Sequence, residues 1–356
     1  MCCEATENAL GIRAPRRARF IRSIMLEIER IHSHLLWLGI AGHIIGFDTV
    51  LMQAWRIREP VMWLAEYITG NRKTYGMNIV GGVRRDITKE KHERILDVMR
   101  RVEEETVAVI KAVEGDTMLH VRLRGVGYLS PEDARAMCVV GPTARGSNIA
   151  IDARVDHPYA AYDELVPEKK VHDECDIWAR TLVRLEETIE SIRLVREGIR
   201  ALQGMPEGEI VLNITEEVPE GLEGISVVEA PRGECIHYVI TSAENRPHRW
   251  RVRAPSYMNI HALPVMFKNK NGGIPSEPFS KANIADIPII IGSIDPCFSC
   301  TERVEVIDVK KKEVRFYTRN ELIELCRLKA QELFNRRSIT VGEFGGAMKK
   351  TTEEQH

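Results

Sequence analysis

No long apolar run, no large excess of one charge and no second Cys-x-x-Cys pair occur in this 356-residue chain. Each lack removes a class of function. The longest apolar stretches, around Leu35–Ile45 and Ile287–Ile294, fall short of the ~18 to 20 residues that a membrane-spanning helix needs. The chain is therefore expected to meet a membrane only through a partner subunit. With Lys+Arg at 50 against Asp+Glu at 52, no global field draws in nucleic acid or anionic lipid, and no nucleic-acid partner is expected. Eight cysteines in a chain this long, with no signal-peptide pattern, do not read as a secreted disulfide framework, so a reducing compartment is expected. Neither an internal repeat nor a low-complexity segment points to a solenoid.

What is there is an ordinary globular composition, 44% hydrophobic, enough for a substantial core in one large or two modest domains. The first ten residues already read as helix, with no cap before them, as though the chain starts within an element. Apolar residues then fall at Ile21, Ile24, Ile28, Ile31, Leu35 and Leu38, alternating three and four apart as an amphipathic helix requires. Its polar residues include Glu27, Glu29, His32 and His34. They read either as a solvated or interface-facing side, or as a proton relay through Glu29, His32 and His34, with Glu29 and His32 a facing i,i+3 pair. Met52–Ile68 gives a second helix stopped by Thr69-Gly70-Asn71, its Trp55, Trp63 and Tyr67 read as packing. Gly81-Gly82 predicts a tight turn presenting Arg84 or Arg85 to a partner, followed by a charged helix over about Thr88–Glu114.

Ser130-Pro131-Glu132-Asp133 is a helix start, with a serine cap, proline at the first position and acids in the first turn. Gly141–Asn148 is a glycine-rich polar loop of the kind that often carries function. The longest helix is expected over Glu168–Gln203 and is stopped by Gly204-Met205-Pro206. Together the helices predict a bundle. From about Glu209 the runs turn short and β-like: Ile210–Ile214, Ile225–Val228, Ile236–Ile240, Trp250–Val252 and Ile287–Ile291. The expected fold is mainly α (α+β), a long-helix bundle at 1–205 with a smaller sheet portion at 206–303. A hairpin, Val304–Val309 with Val314–Thr318, a helix from near Asn320 and a disordered tail from Lys349 make a C-terminal extension at 304–356.

The chemistry concentrates in Ser293-Ile294-Asp295-Pro296-Cys297-Phe298-Ser299-Cys300-Thr301-Glu302-Arg303. Two thiols at this spacing bind one soft metal together or close into a redox disulfide. A redox pair needs a long helix behind the first thiol, whereas a new strand pattern follows after Arg303. A structural zinc site needs four closed ligands, and no second Cys-x-x-Cys exists; Cys138, Cys175, Cys235 and Cys326 stand alone, and the adjacent Cys2 and Cys3 chelate poorly. A third reading is a catalytic transition-metal centre with Arg232, on the Glu229-Ala230-Pro231-Arg232-Gly233 turn, pairing with Asp295.

The Asp295–Arg303 segment resembles the C-terminal nickel-binding motif of [NiFe]-hydrogenase large subunits, within the membrane-bound, energy-converting branch related to respiratory complex I. The Glu27–Gly46 helix with Glu29-Arg30-Ile31-His32-Ser33-His34-Leu35, the Thr69–Arg72 turn, Gly81–Asp86, Gly141–Ser147 and Glu229–Gly233 share the resemblance, which covers nearly the whole chain. It implies a nickel–iron centre with CO and CN− on the iron, Cys297 as a terminal nickel ligand, Cys300 as a bridging thiolate, Arg232 over the open coordination position and Asp295 as its carboxylate partner. It further implies interconversion of protons plus electrons with H2, an iron–sulfur small subunit passing electrons to ferredoxin, membrane-arm subunits, nickel-insertion factors and a maturation endopeptidase cutting after Arg303. The location implied is peripheral, on the cytoplasmic side of the membrane, and no iron–sulfur cluster is expected in this chain. One departure stands out: the branch's first Cys-x-x-Cys is absent, so either the true start is earlier or the centre is altered, with Cys2 or Cys3 as substitutes. The alternative function is a complex-I-like subunit without hydrogenase chemistry, serving a quinone- or sulfur-reducing partner; a structural zinc scaffold is the third.

Overall fold

The computed structural model describes residues 2–74, 76–214, 218–243, 247–268 and 284–301, with short stretches between 306 and 332. In chain order the first unit, Met1–Thr301, contains helices α1 (Cys2–Leu10), α2 (Arg16–Ile45) and α3 (Asp48–Thr69), strands β1 (Asn78–Ile79) and β2 (Gly82–Val83), and helix α4 (Lys89–Gly115). Helices α5 (Thr117–Leu123), α6 (Pro131–Ala136), α7 (Pro142–Arg145), α8 (Ala153–Asp156) and α9 (Ile177–Gly204) follow. Then come strands β3 (Glu223–Ala230), β4 (Gly233–Thr241) and β5 (Pro247–Arg253), and helices α10 (Pro255–Asn259), α11 (Leu263–Lys268), α12 (Ile287–Ser293) and α13 (Phe298–Thr301). The fold is mainly α with small antiparallel sheets, as the sequence predicts.

Helices α2, α3, α4 and α9 form the bundle. The expected α2 face, Ile21, Ile24, Ile28, Ile31 and Leu35, is buried with Ile57, Val61 and Leu64 of α3, Ile95 and Met99 of α4, and Ile192, Val195 and Ile199 of α9. Left-handed glycines Gly46 and Gly70 end α2 and α3. Ser130 caps α6 by accepting from Asp133 N–H at 3.0 Å. The sheet runs β3-β4-β5, antiparallel throughout, and α1 packs on β3, where a Cβ at Gly224 would meet Ala5 O at 2.0 Å.

Several expectations need correction. The longest helix is α2, at 30 residues, not the one preceding Gly204, which begins only at Ile177. Residues before it spend their backbone on the 145–148 loop, His172 N–H donating to Arg145 O and Asn148 N–H to His172 O, so they have no intrahelical partners to offer. Ile287–Ile291 is not a strand but the body of α12, with Pro288 in its first turn; a short apolar run has no period that separates the two. Ile210–Ile214 is likewise no strand of the sheet. Val211 makes a single bridge to Gly82, and Leu212 N–H donates to Gly81 O. Trp55 and Trp63 do pack, though each stays partly exposed: Trp55 lies against Gly39, and Trp63 stacks on Tyr67 with Arg94 over its ring.

The second unit, Glu302–His356, holds an antiparallel pair, β6 (Val306–Asp308) and β7 (Glu313–Arg315), where the sequence predicts a hairpin. Helical residues lie at 321 and between 323 and 332. Residues 302–303 of the cysteine motif, the helix start at Asn320 and the tail from Lys349 lie outside the described residues.

Candidate metal centre

The cysteine segment is a helix, a turn and another single helical turn. α12 delivers Ser293, the chain reverses through Asp295 with φ at +51°, and α13 carries Cys300. Three parts of the fold hold this segment. Trp37 Nε1–H of α2 donates to Gly292 O at 2.7 Å, Arg180 Nε–H of α9 donates to Ser293 Oγ at 3.1 Å, and Ser256 Oγ of α10 accepts from Cys297 N–H at 3.1 Å.

Arg232 arrives from the opposite side on the β3–β4 turn. That turn crosses the Gly141–Asn148 loop so closely that a Cβ on Gly141 would lie 2.3 Å from Gly233 Cα, and one on Gly233 would lie 2.7 Å from Gly141 N. Both residues have positive φ, so glycine is required here on two counts. Asn259 fastens the crossing, accepting from Val140 N–H at 2.9 Å and donating to Arg232 O at 3.3 Å. The expected pair then forms. Arg232 Nη2–H reaches Asp295 Oδ1 at 3.0 Å and Arg232 Nε–H reaches Asp295 O at 2.8 Å.

The Cys297 and Cys300 Sγ atoms lie 3.2 Å apart, and Ser299 Oγ is 3.1 Å from Cys297 Sγ. Burial pushes the Cys297 thiol up, but hydrogen bonds from Ser299 and Cys300 outweigh it and the net shift is downward. Burial and the neighbouring Cys297 push Cys300 up to about 11. A pair with one thiol favoured as thiolate and the other held back until a cation arrives suits a soft metal bound by both. Among the described residues no third Cys, His, Asp or Glu gathers with them, so the pair fits as part of a donor set. Cys2 and Cys3 are not brought to it; Cys3 Sγ sits 3.5 Å from Asn78 O.

Beneath the site runs a buried charged cluster that the sequence pattern leaves unassigned. Arg145, fully enclosed in α7, donates from Nε to Glu187 Oε1 at 2.7 Å and from Nη1 to Glu229 Oε1 at 2.8 Å. Arg154 binds Asp152 at 2.7 Å and Glu27 at 3.2 Å. Ser191 Oγ and Tyr162 Oη also donate to Glu27. Burial opposes ionisation of Glu187, yet Arg145 and His34 bring it down to about 2. At Glu229 burial wins and the carboxyl is held above its usual range despite Arg145. The available signal was a stripe on α9, Arg180, Arg184, Glu187 and Ser191, spaced as one helix face and polar where it should be exposed; all four are buried.

The relay candidates separate. Glu27 and His34 lie inside the bundle, not on a solvated side. His34 Nε2 is 3.0 Å from Glu187 Oε2, and burial brings the ring to about 4, so neutral His34 donates Nε2–H to the carboxylate. Glu29 and His32 are half-buried. Burial raises Glu29 and lowers His32 to about 4, and both feel the charges of Lys73 and Arg232. Arg84 and Arg85 are exposed beyond β2.

The fold and this site place the chain in a family of redox-complex subunits: it belongs to the family of the respiratory-chain NADH dehydrogenase 49 kDa subunit, whose model matches residues 45–219 and 211–303. It is 39% identical over 321 residues to formate hydrogenlyase subunit 5 of Escherichia coli, covering 89% of this chain and 53% of that protein. With the membrane-bound hydrogenase subunit alpha of Pyrococcus furiosus it shares 37% over 344 residues, covering 92% and 77%. An NADH-quinone oxidoreductase subunit of Thermodesulfovibrio yellowstonii matches at 32%, covering 82% and 77%. The chain spans about half the length of the Escherichia coli relatives. Among solved structures, a chain of the membrane-bound sulfane sulfur reductase, an archaeal respiratory membrane complex, superposes with a TM-score of 0.76 at 28% identity, covering 85% of this chain and 79% of that one. The relatives are thus parts of oxidoreductase systems, and two of those described are named as membrane-bound. No helix among the described residues is long and apolar enough to cross a membrane.

Proposed function

We propose that this chain is the catalytic large subunit of an energy-converting [NiFe]-hydrogenase that interconverts protons plus electrons with H2. The observation that carries the reading is the pair of thiols 3.2 Å apart with the Arg232–Asp295 ion pair beside them. Cys297 and Cys300 would hold nickel and iron, and the bound metal would supply the Lewis-acid position at which H2 is formed or split. Arg232, held through its carbonyl by Asn259 and through its guanidinium by Asp295, keeps a fixed positive charge at that position. Glu29 and His32 lie within the electrostatic reach of Arg232 and are assigned to carrying protons to and from the metal position, Glu29 being the group that burial brings nearer to neutral pH. His34 has Nδ1 as its one remaining site for a proton, because Nε2 is engaged by Glu187. A chamber lined by Trp37, Ile45, Leu119, Ile289 and Gly292 reaches Ser293 at the foot of the site, apolar surroundings that suit a small uncharged substrate. In this reading an iron–sulfur small subunit exchanges electrons with a ferredoxin, Arg84 and Arg85 face a partner, and the complex sits on the cytoplasmic face of the membrane.

A second reading, a complex-I-like docking subunit without hydrogenase activity, draws on the two-thiol limit of the described donor set and on the NADH-quinone oxidoreductase relatives. Metal analysis of the purified complex with an infrared spectrum separates the two. Stoichiometric nickel with bands for iron-bound CO and CN− supports the hydrogenase; zinc, or no metal, leaves the docking subunit.

A further inference from the structure

We propose that Arg184 is a positioning residue for the Cys297/Cys300 centre, its buried guanidinium, stacked on Trp37 and unpaired with any carboxylate among the described residues, fixing a positive charge behind the cysteine segment that stabilises an anionic group on the two thiolates. The inference rests on the metal-centre reading above and concerns a residue that neither touches the thiols nor lies in their motif.

The five fully enclosed arginines fall into two sets. Arg30, Arg145 and Arg154 each pair with a carboxylate. Arg180 and Arg184, one turn apart on α9, pair with none among the described residues. Arg180 donates to Ser293 Oγ and, at 2.7 Å, to Gly127 O, leaving Nη1 without a partner. Arg184 donates from Nη1 to Arg180 O at 2.9 Å and stacks 4.4 Å from the centre of the Trp37 ring, while Nε and Nη2 have no partner. On the cysteine segment, Asp295 Oδ2 is buried and equally without a partner. Orphaned buried donors and acceptors are rare in a native interior, and this set gathers around one segment.

Charge points the same way. Burial pulls Arg180 and Arg184 down to about 10, which leaves both cationic at neutral pH. Arg184 is attracted by Asp295 and Glu187 and repelled by Arg232 and Arg145. Glu187 is already engaged by Arg145 and His34. That leaves Asp295 to face Arg184, and Asp295 is already paired with Arg232, so the excess beside the thiols is positive. An anionic group on Cys297 and Cys300 balances it. A cation buried beside a redox group favours the reduced form, so removing it lowers the reduction potential.

The test compares Arg184→Met and Arg184→Lys with the wild type in the purified hydrogenase complex. Its readouts are nickel per chain, the CO and CN− infrared bands and a redox titration. Wild-type protein without nickel or the bands fails the hydrogenase reading itself. Given a loaded wild type, R184M is expected to keep its nickel, to shift the bands to lower frequency and to weaken one-electron reduction about tenfold, 59 mV, while R184K stays nearer the wild type on both. Loss of nickel in R184M alone also supports a requirement for charge. The proposal is overturned if loaded R184M keeps wild-type bands and potential, or if R184K is displaced, or emptied of nickel, as fully as R184M, which would make the role one of packing on Trp37.

Discussion

His34 enters the interior uncharged, and that fixes how the protein meets acid. Its folded value of about 4 lies below the ordinary 6.5. Between those values the unfolded chain binds a proton that the folded chain does not, so stability falls as pH drops through this window. His32 acts in the same direction. Glu187, held down to about 2, contributes stability above the ordinary carboxylate range that is lost only as pH falls toward 2. His34→Gln should lower stability at pH 7 yet flatten its decline between pH 6.5 and 4, checked by urea unfolding at stepped pH; an unchanged slope would assign the acid sensitivity elsewhere. Arg232 makes a different prediction. Lysine keeps the charge but not the two-pronged hold on Asp295. In the proposed hydrogenase, Arg232→Lys should leave nickel content unchanged and reduce H2 evolution by about two orders of magnitude, and full turnover in the variant would remove Arg232 from the chemistry.

At the scale of elements, the crossing of the β3–β4 turn over the 141–148 loop is the tightest joint in the site. Gly233→Ala adds a Cβ against Gly141 N where φ is +125°. It should destabilise the protein by about 1–3 kcal/mol and displace Arg232, lowering activity beyond what the loss of folded protein explains, measured as turnover per bound nickel. The buried cluster makes a larger demand. Arg154→Met leaves Glu27 and Asp152 enclosed without their main cation, a loss of about 3–5 kcal/mol, readable in the urea midpoint. These elements also show what the sequence makes legible. Apolar period reveals α2, a helical pattern with its glycine stop marks α3, a charged run after a turn marks α4, and the Arg232–Asp295 pair follows from a rigid turn and a motif. The α9 start escapes because its upstream backbone is committed to the 145–148 loop, a tertiary fact. The strand reading of Ile287–Ile291 fails because so short an apolar run fits either period. The polar stripe of α9 is visible as spacing, but only packing reveals that it points inward.

Across the whole molecule the cysteines are all reduced, and their settings differ. Cys138, Cys300 and Cys326 are exposed, whereas Cys175 and Cys235 are buried with thiols that burial pushes up. Metal-free protein treated with iodoacetamide should label at Cys138 and Cys326 well before Cys175 and Cys235, and nickel loading should protect Cys297 and Cys300 selectively, as followed by peptide mass spectrometry. Labelling of Cys297 and Cys300 that nickel leaves unchanged would argue against their joint role.

The anchors of the cysteine segment come from Trp37, Arg180 and Ser256, which stand 255, 113 and 41 residues from their partners. Contacts of such span close late in folding, after the nearer ones have ordered the chain. A nascent or partly folded polypeptide therefore carries both thiols without the cradle that aims them. In the proposed hydrogenase, metal delivery would then be a quality-control step as much as a chemical one: nickel uptake would report that the last long-range joints of the bundle have closed.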